Sequence, residues 1–127
     1  VVFHDGKILL GKRIGSHGAE TFGGPGGHLE FMESFEDCAR REATEEAGIE
    51  IENIRFNCLT NFKTREGKHY VDIGLLADWK GGEPEVREPD RCAGWDWYTL
   101  TELPKPLFGV VEHYIEAFHT GKRYFDA

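Results

Sequence analysis

A glycine-rich run set directly ahead of an acidic helix constrains this chain more than any other feature. Gly11 to Gly27 holds seven glycines and one proline in seventeen residues. Such a stretch predicts a loop whose backbone can approach a ligand closely. Ser34 follows as a good N-cap, and Asp37, three residues on, makes an acidic variant of the capping box. The helix so begun is predicted to run to Ala47 and to stop at Gly48, the residue type favoured just past a helix end.

That helix carries Glu42, Glu45 and Glu46 at i, i+3 and i+4, so the three carboxylates converge on one face. They border the apolar side marked by Phe35, Ala39, Ala43 and Ala47. Like charges so placed repel one another unless a cation lies between them, and hard oxygen ligands of this kind suit Mg²⁺ or Mn²⁺. The spacing alone is more often that of a solvated acidic face paired with arginines, Arg41 to Glu45 for example. The Gly-Pro-Gly-Gly loop ahead of the helix favours the first reading, because it offers backbone groups where a metal or a phosphate could be held.

The rest of the chain reads as alternating short elements. Val1 to His4, the turn Asp5-Gly6 and Lys7 to Leu10 predict a hairpin. Ile51 to Phe62 and His69 to Trp79 carry strand-like stretches joined by a polar turn around Arg65-Glu66-Gly67, and Trp95 to Tyr98 is another short strand. Gly81 to Pro89 is an acidic loop, and Leu107 to His119 has apolar residues at helical spacing. Neither an internal repeat nor a linker divides residues 1–127, which predicts one domain. The strand-like start at Val1 implies residues before it.

The net charge of −8 weighs against a polymeric nucleic-acid partner, which generally needs a basic stripe, but not against a small phosphorylated substrate brought in by a divalent cation. No run is apolar and long enough to span a membrane, so no membrane partner is expected. Cys38, Cys58 and Cys92 form no CxxC pair and leave one over, as in a reducing cytoplasm with buried thiols.

Gly27, Glu33, Arg41-Glu42, Glu45-Glu46 and Gly48-Ile49 match the nudix box, G-x5-E-x7-R-E-U-x-E-E-x-G-U, at every fixed position, with Ala43 and Ile49 at the U positions. Chance would give the seven fixed residues at roughly 2 in 10⁷ starts in this composition. The chain thus resembles the nudix hydrolases. The resemblance implies an α/β (α+β) fold, an α/β/α sandwich with a mixed central sheet and the box as loop-helix-loop. It further implies Mg²⁺ or Mn²⁺ held by the Gly26 carbonyl, Glu42, Glu45 and Glu46. Glu42 would also be general base for an attacking water, and Glu33 and Arg41 a structural pair. The reaction implied is in-line attack of water on phosphorus, without a covalent enzyme intermediate.

Outside the box, Gly11-Lys12-Arg13, Gly15-Ser16, Pro25 to Phe31, His69-Tyr70-Val71, Glu88-Pro89, Cys92, Trp95-Asp96-Trp97 and Leu107-Phe108 are similar to a subgroup of nucleoside triphosphate diphosphatases. Members act on guanine, thioguanine or oxidised nucleotides, and often form homodimers. The implied product pair is nucleoside monophosphate and pyrophosphate. An ADP-ribose or nucleotide-sugar diphosphatase, and a non-catalytic nucleotide-sensing domain, are the other readings. Candidate substrate contacts are Lys12 and Arg13 on phosphate, against a plain solvated strand end, and His28 beside the loop, against an ordinary loop histidine. Phe108 could stack on a base, although aromatics in such a segment are more often core, and Trp97 is read as packing. This chain departs from the subgroup at Gly24, Met32 and Asp72. If Val71, Ile73 and Leu75 pack the core, Asp72 faces the cleft and can accept hydrogen bonds from guanine or pterin N–H groups.

Overall fold

The computed structural model describes residues 1–15, 18–63 and 67–126. Ser16 and the Arg65-Glu66 turn therefore lie outside the described residues. Strand β1 (Val2–His4) turns through Asp5 and Gly6 into β2 (Lys7–Arg13). Both turn residues have positive φ, 50° and 75°, which matches the turn to the twist of the two strands. After β3 (Phe22–Gly23) come α1 (Phe35–Ala47), the long strands β4 (Glu50–Lys63) and β5 (His69–Gly81), β6 (Cys92–Thr99), α2 (Gly109–Thr120) and β7 (Tyr124–Asp126).

The seven strands form one mixed sheet in the order β3-β2-β1-β5-β4-β7, with β6 paired to β2. β1 runs parallel to β5 and β7 parallel to β4, while the other pairings are antiparallel. Alternation along β2 places the helices. Leu9 packs with Ala43 and Ala47 of α1, whereas Ile8 and Leu10 pack with Val111 of α2. The two helices therefore cover opposite faces, and the expected mixed sheet between helices is what forms.

Several expectations need correction. Gly11 to Gly27 is not all loop, because β2 continues to Arg13 and β3 lies inside the run. Gly11 belongs to the sheet because its partner strand crowds it. A Cβ there would stand 2.7 Å from the Trp95 ring and 2.8 Å from Cys92 Sγ. The second helix starts at Gly109, two residues later than its apolar spacing implied, because Leu107 bridges in parallel to Phe22. Val71 is not in the core but 68% exposed. The register of β1 on β5 covers only Ala77 and Asp78, well past Val71. Phe35, on the nominal apolar side of α1, is 47% exposed, because the first turn of the helix stands clear of the sheet while Ala43 and Ala47 are buried.

Candidate active site

α1 begins and ends where its caps dictate. Ser34 Oγ accepts from the Asp37 N–H at 3.1 Å, and Gly48 takes the left-handed conformation (φ 68°) with its N–H returned to the Ala43 and Thr44 carbonyls. The Asp37 carboxylate does not complete a reciprocal box but accepts from Arg40 at 2.9 Å. These limits place Glu42, Glu45 and Glu46 in the last two turns, beside the glycine loop.

Arg41 organises the loop against the helix. Its Nε and Nη2 donate to the two Glu33 oxygens at 2.8 and 3.0 Å, a bidentate pair, and Nη2 also donates to the His28 carbonyl at 3.0 Å. Its Nη1 donates to Glu42 Oε1 at 2.7 Å and to Glu45 Oε2 at 3.2 Å. Arg41 beside Glu33 holds that carboxyl well below the usual carboxylate range. Met32 sits in the turn so tied with φ 65°, the left-handed conformation that favours glycine.

The three helix glutamates differ in surroundings. The Glu42 side chain is 12% exposed and lies against Gly27, where a Cβ would come within 2.5 Å of the carboxylate. Glu46 accepts from the Gly26 N–H at 3.3 Å. Burial, and then the adjoining Glu42, push its carboxyl up to about 8. Glu45, at 51% exposed, stays on Arg41 and turns to solvent. Among the described residues no three His, Cys, Asp or Glu side chains are gathered on one point, because Arg41 draws two of the three helix carboxylates to itself.

A cavity of about 560 Å³ opens beside Glu42 and Gly26-Gly27. Arg13, His28, Asp72 and Phe108 all line it, so four of the five residues expected to touch substrate come together. Lys12 does not join them. It points to the other side of β2 and pairs with Glu20 at 3.0 Å. The Arg13 guanidinium lies 4.3 Å over the Phe108 ring, and burial lowers its pKa. The His28 ring stands 5.7 Å from Tyr70.

Asp72 faces the cavity as expected, although not for the expected reason, since Val71 beside it is exposed. Burial raises its pKa, and the Tyr114 hydroxyl donates to Oδ2. Tyr114 escaped the sequence reading. Its only signal was the i+3 step from Val111 on the inner face of α2. Tyr70, also at the cavity, shares the strand face expected for Asp72 two residues on, whereas Phe62 gave no signal beyond strand propensity. Trp97 packs on the core cluster of α1, as expected.

Among the described residues, a seven-stranded mixed sheet between two helices, with a capped loop-helix unit presenting Glu42 to a cavity, defines the class. The NUDIX domain model matches residues 1–118, and the chain belongs to that family. Its structure is similar to that of a MutT NUDIX hydrolase from Burkholderia pseudomallei, with 36% identity, 91% of each chain covered and a TM-score of 0.86. Among sequence relatives, an oxidized purine nucleoside triphosphate hydrolase from Danio rerio is 28% identical over 105 residues, 82% of this chain and 65% of that protein. The NAD-capped RNA hydrolase NudC of Pseudomonas putida is 30% identical over 98 residues, 76% of this chain. The match spans about a third of the length of NudC (34%). No helix among the described residues is long and apolar enough to cross a membrane.

Proposed function

We propose that this nudix hydrolase cleaves a phosphoanhydride bond of a nucleoside triphosphate, giving nucleoside monophosphate and pyrophosphate, with Mg²⁺ or Mn²⁺ as cofactor. The observation that carries the proposal is the pairing of Glu42 with Glu46, the first lying against Gly27 and lining the cavity, the second accepting from the Gly26 N–H. The site fits a hard divalent cation. Two carboxylates are pressed together at a cost visible in the raised Glu46 pKa, and the Gly27 position leaves no room for a Cβ beside them. Gly26, Glu42, Glu45 and Glu46 would hold the ion. Such an ion supplies charge neutralisation of the phosphates and acidifies water.

The chain's own groups account for the remaining work. Glu42, fixed by Arg41, accepts the proton of the attacking water as its oxygen bonds to phosphorus and the phosphoanhydride P–O bond breaks. Arg13, held over Phe108 in the cavity wall, would meet a phosphate. Asp72 offers an acceptor to the N–H edge of a purine, and His28 borders the loop. The likeness to the Danio rerio oxidized purine nucleoside triphosphate hydrolase supports a purine triphosphate. The NudC likeness favours instead a substrate with a diphosphate bridge, the second reading. A small-molecule partner, a cytoplasmic setting and a homodimer belong to this proposal, the last supported by the exposed apolar run Leu29, Phe31, Met32 and Phe35.

Glu42→Gln tests the assignment. Turnover is expected to fall by about 10²–10⁴-fold with Mn²⁺ binding retained. A merely twofold loss would move the base elsewhere, Glu88 being an alternative because its charge acts on Glu46.

A further inference from the structure

The C-terminal end of α1 is an awkward place for a catalytic helix to stop. It carries three glutamates, its last turn holds no basic residue, and the negative end of the helix dipole adds to the same charge. The segment between β5 and β6 meets that end directly. The Glu85 N–H donates to the Ala47 carbonyl at 3.0 Å, and the Arg87 N–H to the Glu46 carbonyl at 3.4 Å. The Arg87 guanidinium donates through Nη1 to the Thr44 carbonyl at 3.3 Å and through Nε to Glu85 Oε1 at 2.7 Å. Trp95 Nε1 adds a second donor to the Glu46 carbonyl at 3.2 Å. The fit is close on the helix side as well. A Cβ on Gly48 would stand 2.8 Å from Arg87 Nε, and a Cβ on Gly82 would stand 2.6 Å from the Gly48 carbonyl.

We propose that Arg87, locked by Glu85, is a positioning residue for the metal-binding carboxylates, clipping the last turn of α1 so that Glu46 stays beside the Gly26 N–H. The inference rests on the reading of Glu42 and Glu46 as metal ligands. Arg87 touches neither substrate nor ion. It acts by holding the helix end in register and by supplying the positive charge that the last turn lacks. A side chain that is 45% exposed and makes one bond to a helix carbonyl and one to a carboxylate is otherwise free to be lost without unfolding the sheet.

The test compares Arg87→Ala, Arg87→Lys and the surface control Arg55→Ala, all below their unfolding temperatures. Readouts are Mn²⁺ affinity of the nucleotide-free protein by calorimetry, and kcat and KM on a triphosphate. Arg87→Ala is expected to weaken Mn²⁺ binding and lower kcat, each by roughly fivefold, with KM within twofold of wild type. Arg87→Lys should recover part of both, since it restores the charge but not the two-pronged contact. Arg55→Ala removes the same charge from a surface pair between β4 and β5 that does not touch α1 and should change neither. Unchanged Mn²⁺ affinity in Arg87→Ala overturns the inference, as does equal loss in the Arg55 control. Glu46→Gln separates the failures. If it too leaves Mn²⁺ binding intact, the reading of the metal site is what fails. If it abolishes binding while Arg87→Ala does not, only the role of Arg87 falls.

Discussion

Gly27→Ala isolates the contact on which catalysis is proposed to depend. A methyl carbon at this position would stand 2.5 Å from the carboxyl carbon and Oε1 of Glu42 and 2.7 Å from Oε2. Ordinary carbon contacts start at about 3.5 Å, so the carboxylate must retreat by about 1 Å. The backbone does not resist the change, because Gly27 is not among the glycines with positive φ. The obstacle is the far end of a side chain that can swing, and a lost glycine also restricts the unfolded chain. Stability should therefore move by no more than about 1 kcal/mol. Activity should not be spared, because a misplacement of about 1 Å at a catalytic group costs about 10²-fold in rate. The assay is kcat at saturating Mg²⁺ and triphosphate, set beside thermal unfolding of the same preparation. A kcat within threefold of wild type would show that the position of the Glu42 carboxylate does not limit catalysis. A loss of activity that merely follows global unfolding would assign the effect to stability instead.

Two further outcomes follow from the same geometry. In chelator, folded Glu46 keeps a proton that the unfolded chain has released above its ordinary pKa of 4.5, because burial and Glu42 raise the folded value to about 8. The folded state binds more protons across that interval, so metal-free stability falls as pH rises from about 4.5 to 8. Glu46→Gln should flatten the decline and exceed wild type at pH 8 by about 2–4 kcal/mol in denaturant titrations, whereas parallel profiles would exclude the proposed burial of charge. Asp72→Ala should narrow the spread of kcat/KM among guanine, adenine and oxidised purine triphosphates, and unchanged ratios would remove Asp72 from base recognition.

What the sequence disclosed was what local chemistry determines. Ser34 and Gly48 fix the ends of α1 within a few residues of themselves, and the i, i+3, i+4 glutamates need only the helix to be placed together. Arg41 with Glu33 was legible for a different reason, through family likeness, although the bidentate geometry was not. Elements defined by distant partners stayed hidden. β7 is three residues, Tyr124–Asp126, and becomes a strand only through its pairing with Leu59, Thr60 and Asn61. Gly11 looked like loop because glycine usually weakens a strand. Its place in β2 depends on Trp95 and Cys92, more than eighty residues away, needing the space a Cβ would take. Lys12 and Arg13 are neighbours in sequence, yet strand alternation sends one to Glu20 and the other to the cavity. Asp72 was placed correctly from a wrong premise about Val71, and its partner Tyr114 is contributed by a different layer of the fold.

The central claim is that the helix glutamates support metal-dependent opening of a phosphoanhydride. The most direct measurement is product analysis after incubation with purine triphosphates, ADP-ribose and NAD in Mg²⁺, with parallel samples in chelator and with Glu46→Gln. Nucleoside monophosphate and pyrophosphate are expected from a triphosphate, formed in Mg²⁺ and absent in both controls. Equal product with chelator, or no hydrolysis of any of these substrates by the wild-type protein, would contradict it.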